Sequence, residues 1–579
     1  MVLPSDIRPN HFLLGTEFSF TVIAVALAFV WPQLGKDSFN RWERSFSRIA
    51  SKKSWTVAGA GLSAIILRLV MLPFFPIPLP FVPDDFSFLL AAETFLHCKL
   101  TNPTPAMWVH FESIHIDMQP TYQSMYFPGQ GMLLAAGQVL FGHPWFALLV
   151  MDGMMCAALT WMLQAWLPPR WALLGGALAV LRLGLFSFWI NTYHGAGLLS
   201  GFAGALVLGS LPRLMKTGRF RYGLLMGIGI AILILTRPYE GFLLSLPLAV
   251  ILGRWLAKGN HRPPIRILAR RAIVPMLVIF STLSWLGYYD YRAFGNPLTL
   301  PYTINRQTYA VAPYYIWQQP HPEPHYRHPS LRTFYVLGEF PMYRLVHSVT
   351  GFLPWTVVKA SFNVFFFTGV LFILPLFMIV QVFRDKRIRF LVVCFLVLIA
   401  GVVIEIYLIP YYLAPFTAVF YAIGLQMMRH LRVWKMGRSP VGQGLVRYTV
   451  AAFLLMVGVR IAAQPLNLEP PEWDPGNWNL VWYGPQHFGV ERAQMEAWLE
   501  RQPGEQLVIV RYFGNHYPVD EWVYNRANID GSKVVWAREM DAADNQELIH
   551  YYRNRRVWLV EPDAIPARIT PYPMQEPRP

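Results

Sequence analysis

Twelve stretches of this chain are apolar over roughly the twenty residues that cross a bilayer's hydrocarbon core. That repetition constrains the fold more than any motif does. They are read at 12–33, 55–76, 144–166, 171–189, 195–212, 222–236, 240–256, 272–292, 361–383, 390–409, 411–428 and 446–463. Of the 579 residues, 54% are hydrophobic and 14% charged, against about 25% charged in soluble domains. The expected fold is mainly α, a polytopic membrane helix bundle of about twelve transmembrane helices.

The formal charge of +16 lies in short loops between apolar stretches, as orientation signals do. It therefore argues for the lipid bilayer and against nucleic acid as partner. Basic residues gather at 36–53, 213–221, 254–271, 384–389 and 429–447, and Arg170 sits in the turn at 167–171. By the positive-inside rule these loops are cytoplasmic. Both termini are then outside, and so are segments 77–143, 293–360 and 464–579. Residues 1–463 read as the transmembrane domain. The tail 464–579 reads as a small extracytoplasmic α/β domain, with strands near QLVIVRYF, SKVVWARE and RRVWLVEP and a helix at NQELIHYYRN.

Other signals narrow the reading. The three cysteines (Cys98, Cys156 and Cys394) lie far apart and form no disulfide framework. MVLPSDIRPNHF has no basic n-region or cleavage site, so no removable signal peptide is expected. GQGMLLAAG at 129–137 is not a dinucleotide fingerprint, because Leu134 stands where the third glycine belongs. No internal repeat of the kind common in transporters is visible.

The chemistry-bearing stretch is FVPDDFSFLLAAETF at 81–95, just after an apolar run. Pro83 opens a helix whose Phe88, Leu89, Ala92, Phe95 and Leu96 form one stripe, as in a helix lying on the membrane surface. One reading makes Asp84 an N-cap and Asp85 a complement to the helix dipole. TNPTPAMW and QPTYQSMYFPGQGMLLAAGQVLFGHPW follow, leading into a span. This order resembles the GT-C superfamily of integral-membrane glycosyltransferases, most closely its protein-mannosyltransferase and aminoarabinose-transferase branch. The resemblance covers residues 55 to about 290 in order, and the later spans more loosely.

The resemblance implies transfer of a sugar, with inversion, from a polyprenyl-phosphate carrier to an acceptor outside the cytoplasm. It makes Asp84 the general base that takes the proton of the attacking hydroxyl. Asp85 would orient the acceptor, tune its neighbour or help bind a divalent cation (Mg or Mn). The departing lipid phosphate needs a cation or hydrogen-bond donors. Related enzymes often carry an Arg-Tyr pair before a late outer helix, but here IPYYLAPF places Tyr411 at the arginine's position. The phosphate role then falls to Arg237, with Glu240 beside it in ILILTRPYEG, or to Arg306 in the second outer loop. Arg237 also reads as a snorkelling interface residue.

Tyr193 and His194, in WINTYHGAG, are candidates to touch sugar or phosphate, or are simply parts of a polar hairpin. Arg68 and Arg182 lie within apolar stretches, where charge is normally paired. The second outer loop, rich in Tyr, Trp and Pro, reads as a lid. The prolines between His321, His325 and His328 prevent a shared helical face, which argues against zinc. The expected partners are a polyprenyl-phosphate sugar and a protein, lipid or glycan acceptor, at a bacterial inner membrane. Two other readings are a flippase for a lipid-linked saccharide and a membrane anchor displaying the tail as a binding module.

Overall fold

The computed structural model describes residues 11–258, 264–463 and 489–573, with positions 465, 466, 468 and 482. The expectations placed on the first ten residues, on the centre of the 254–271 loop and on most of 464–488 lie outside the described residues.

All twelve apolar stretches are helical over most of their length, but the expected count of spans is too high. Among the described residues, eight helices are long and apolar enough to cross a membrane: Phe12–Val30, Lys53–Val70, Trp145–Trp166, Pro169–Asn191, Gly197–Thr217, Pro238–Ala257, Ala272–Phe294 and Val441–Ala463. A ninth candidate is the pair Phe352–Thr368 and Leu371–Arg384, bent by 106°. Phe220–Thr236 and Arg389–Val403 are short apolar helices. Thr417–Val433 begins only after Pro410 and Pro415 have broken the apolar run, and it ends on His430 and Arg432. Apolar composition marks the stretch; prolines and charges decide where a helix starts and stops.

The bend explains two charges inside apolar helices. Arg182 donates to the Phe365 and Phe366 carbonyls at 2.7 and 3.2 Å. Glu17 accepts the Val370 and Leu371 amides at 3.1 and 3.4 Å. Together they satisfy backbone groups freed by the break. Gly369, at φ +62°, lies between them, and a Cβ there would stand 2.5 Å from the Glu17 carboxylate. Arg68 acts similarly: it donates to the Phe75 carbonyl (2.7 Å), the Pro76 carbonyl (3.2 Å) and Asn191 Oδ1 (3.0 Å). It thereby ties the entry of the first long loop to the 187–196 turn.

The acidic helix Pro83–Leu96 is not the one-sided surface helix expected. Phe88 and Ala92 pack into the bundle core, while Phe86 and Leu90 pack against the tail. Gly131 of the Pro128–Phe141 helix lets that helix close on Ala91 and Phe95. The helix is apolar on two faces because it has a neighbour on each.

In the tail, strands Val534–Arg538, Gln506–Val510, Arg556–Glu561 and Arg568–Pro571 lie side by side in that order, the first three parallel and the last antiparallel. Helix Ala542–Tyr551 connects two of the parallel strands. Leu507, Ile509, Val535 and Leu548 share one core with Phe86, Leu90, Phe111 and Ile116, so the inner face of the sheet is completed by the first long loop. Arg538 reaches from the sheet to the Glu112 carbonyl (2.7 Å) and to Ser330 Oγ (2.7 Å) in the second long loop, and pairs with Glu521. The three long segments form one packed layer.

Candidate active site

Pro83 opens the acidic helix, with Val82 in the N-cap position and no side-chain cap. Asp84 therefore does not cap the helix. Its side chain is 15% exposed. Oδ1 accepts the Tyr126 hydroxyl at 2.6 Å and Oδ2 accepts His115 Nδ1 at 3.2 Å. Tyr126 O is itself 3.0 Å from His115 Nδ1. Burial opposes the charged carboxylate. The neighbouring His115, its hydrogen bond, His194 and Tyr126 outweigh that and hold Asp84 well below the usual carboxylate range.

Asp85 has a different environment. It is fully buried. It accepts the Phe81 amide (3.3 Å), the Tyr193 amide (2.9 Å) and His194 Nδ1 (3.0 Å). Burial disfavours the His194 cation, but Asp85, directly hydrogen-bonded to it, raises its pKa above the ordinary value. Tyr193 donates its hydroxyl to the Pro78 carbonyl at 2.8 Å, and Gln130 holds the Tyr193 carbonyl at 2.9 Å. Asp85, Tyr193 and His194 thus form a buried strut between the acidic helix and the hairpin at 192–196. Tyr193 and His194, candidates to touch sugar or phosphate or else parts of a polar hairpin, are both buried here and do not line the cleft described below.

Beyond Tyr126 lies a cleft of about 700 Å³, counting its open mouth. Its walls are tyrosine-rich, with Tyr126, Tyr302, Tyr314 and Tyr412 among them, and they include Arg237, Glu240 and Glu405. Arg237 lies 4.5 Å from the ring centroids of both Tyr411 and Tyr412 and donates to the Gly195 carbonyl at 3.0 Å. Its Nε has no partner among the described residues. Burial works against its charge, but Glu240 and the surrounding tyrosines raise its pKa and keep it cationic. Gly195, at φ +87°, is required here, because a Cβ would sit 2.6 Å from the Tyr411 ring.

Arg237 and Glu240 therefore reach the cleft. Arg306 does not line it. It is buried, bonded to Glu339 at 2.7 Å and to the Ala312 carbonyl, and lies 4.8 Å from the Tyr314 ring centroid, so it supports a wall of the cleft. The second long loop closes one side through Tyr315, whose neighbours exchange backbone hydrogen bonds with the 404–406 segment (Ile316 N to Ile404 O, 3.0 Å; Ile406 N to Tyr314 O, 2.9 Å).

The two aspartates do not fit a divalent cation. Their oxygens are spent on separate sets of donors, and among the described residues no three His, Cys, Asp or Glu side chains converge, whereas Mg or Mn needs several free oxygen ligands at about 2.1 Å. Sequence reading missed His115, Tyr126, Tyr412 and Glu405. The only available signal was their residue type, because contacts 31 and 42 residues from Asp84 follow no local period.

No protein-family model and no curated protein matches the chain. Among solved structures it is similar to the Archaeoglobus fulgidus oligosaccharyltransferase tethered with an acceptor peptide, at 12% identity and a TM-score of 0.47 over 88% of this chain and 68% of that one. It is also similar to ArnT from Cupriavidus metallidurans. The apo form aligns at 12% identity and TM-score 0.47 over 86% of this chain and 92% of that one. The form bound to undecaprenyl phosphate aligns at 13% and 0.46 over 90% and 93%.

Proposed function

We infer that this chain is a glycosyltransferase that moves a sugar, with inversion, from a polyprenyl-phosphate carrier to a hydroxyl of an extracytoplasmic protein, lipid or glycan. The observation that carries this reading is Arg237, a half-buried cation on the wall of the cleft, 4.5 Å from the ring centroids of two tyrosines and with Nε unpartnered among the described residues. A departing lipid phosphate is the kind of group such an arginine serves, since guanidinium–phosphate hydrogen bonds are charge-assisted and directional. The tyrosine walls suit the faces of a sugar.

Asp84 supplies the negative charge that drives removal of the acceptor proton, across Tyr126 from the cleft. Asp85 acts as a strut, with Tyr193 and His194. Glu240, beside Arg237, orients it and meets the sugar. The basic loops favour an orientation with the cleft and tail outside the cytoplasm, and the membrane we propose is a bacterial inner membrane.

The test uses the full chain in nanodiscs, undecaprenyl phosphate carrying radiolabelled hexoses or pentoses, and envelope membranes as acceptor. Release of lipid phosphate with label moving to membrane material, lost in Asp84→Asn while thermal stability is kept, supports the reading. A chain that carries the intact lipid-linked sugar across a bilayer without cleaving it is a flippase. One that binds no undecaprenyl phosphate and tolerates Asp84→Asn in every assay is an anchor for the tail.

A further inference from the structure

The geometry points to His115, not Asp84 itself, as the group that receives the acceptor's proton, with Asp84 as its positioning partner. This rests on the glycosyl-transfer reading and names the reacting atom within it. Both Asp84 oxygens already accept a hydrogen bond, from Tyr126 at 2.6 Å and from His115 at 3.2 Å. An ionised carboxylate only accepts, and the Tyr126 proton is committed to Asp84. His115 Nδ1, within reach of both, must therefore carry its own proton. In the neutral ring that leaves the basic lone pair on Nε2. Nε2 has no hydrogen-bond partner among the described residues and is not one of the buried partnerless atoms, and the side chain is 12% exposed. A carboxylate orienting an imidazole whose far nitrogen is free is the arrangement that activates hydroxyls in triad enzymes.

The backbone supports the same assignment. His115 has φ +63°, a left-handed conformation uncommon for a residue with a side chain. Its carbonyl accepts Ser87 Oγ at 2.7 Å and the Met125 amide at 3.3 Å. Ser87 stands one turn after Asp84 on the same helix and also meets Ser124 at 2.7 Å. The helix that carries the carboxylate thus fixes the imidazole's main chain, and such strain persists where surrounding contacts impose it. Phe334 packs edge-on against the ring at 5.4 Å. The titratable groups around His115 are Asp84, Tyr126 and Tyr335, with His194 beyond Asp84.

In the step, the acceptor O–H bond breaks and its proton goes to Nε2 as the oxygen bonds to the anomeric carbon. The bond from that carbon to the phosphate oxygen breaks, and its electron pair stays on the lipid phosphate. Asp84 stabilises the imidazolium, which then releases its proton to water.

His115→Asn is the informative variant. Asn tolerates a left-handed backbone and its amide can still donate to Asp84, but it has no basic nitrogen. With the labelled donors above, kcat is expected to fall by roughly 10²–10⁴-fold, with donor KM and undecaprenyl phosphate binding unchanged. Wild-type kcat should rise with pH through an imidazole ionisation, and the residual rate of the variant should be flat. His115→Gly, which also suits the positive φ, should regain rate with added imidazole. A His115→Asn enzyme within a few-fold of wild type, or one that keeps the wild-type pH profile with no imidazole rescue of His115→Gly, overturns the assignment. A wild type that neither binds undecaprenyl phosphate nor cleaves any labelled donor overturns the glycosyl-transfer reading itself.

Discussion

Arg237 and Arg538 are both arginines held against tyrosine rings in this layer of the molecule, yet their bonding differs. Arg538 spends its donors on the Glu112 carbonyl, Ser330 and Glu521, joining the tail sheet to both long loops. Arg237 donates to the Gly195 carbonyl, has an Nε without a partner among the described residues, and has a cleft in front of it. The aspartate pair shows the same contrast in miniature. Asp85 is closed off by two backbone amides and a histidine, whereas Asp84 accepts hydrogen bonds from a tyrosine hydroxyl and from a histidine that has a nitrogen to spare. A fully partnered buried charge holds structure together. An under-partnered one beside open space is available for a ligand, because leaving it so costs stability that packing alone would not select.

The comparison breaks first at Asp84. Asp84→Asn is expected to lower transfer by roughly 10²–10⁴-fold at unchanged donor binding, measured with labelled carrier. Asp85→Asn should instead lower thermal stability, because the strut to Tyr193 and His194 loses its charge. Equal effects on rate and folding for the two variants would erase the distinction.

Arg538→Met tests the structural member. It leaves Glu521 buried without its cation, a loss on the order of 3–5 kcal/mol, expected as a large fall in melting temperature and as protease sensitivity of the tail. Arg237→Gln tests the binding member. The loss of one charged hydrogen bond, about 1.5–3 kcal/mol, should weaken undecaprenyl phosphate binding by roughly 10–100-fold, with a smaller fall in melting temperature than Arg538→Met gives. Should Arg237→Gln unfold the protein while Arg538→Met leaves it intact, the two arginines have been assigned the wrong way round.

The smallest expected effect concerns Asp117, buried in the first long loop against Asn305 at 3.0 Å with its other oxygen unpartnered. Burial pushes its carboxyl up to about 7, opposed by the Asn305 hydrogen bond. Because the folded-state pKa is raised, this group's contribution is fully present below about pH 4 and is lost as pH climbs toward 7. Asp117→Asn should flatten that part of the melting-temperature profile while leaving donor binding alone. A profile unchanged by the substitution would show that Asp117 is ionised in the fold at all pH values measured.

Much of the scaffold was legible. The apolar stretches locate the helices, because burial in lipid demands runs of that length, and the strands of the tail follow their alternating and β-branched segments. The span count was overestimated because hydropathy does not register Pro410, Pro415 or a bend at Gly369. The acidic helix was given one apolar face instead of two, since nothing in its own residues announces that the tail sheet will cover Phe86 and Leu90. At the site, Asp84, Arg237 and Glu240 could be singled out by charge and position. Tyr193, His194 and Arg306 carried the same outward marks, and the fold buries them away from the cleft lining.

The sequence by itself determined a membrane helix bundle, the place of an acidic pair at the head of a helix, and an arginine at the end of an apolar run. Those are properties of local composition and period. Only the tertiary structure decided which aspartate is closed off among backbone amides and which meets Tyr126 and His115, and that Arg237 lies beside Tyr411 and Tyr412 from a distant turn. Hydrogen-bond saturation depends on neighbours brought from 31 to more than 400 residues away, and no local pattern encodes which donors those neighbours will have left.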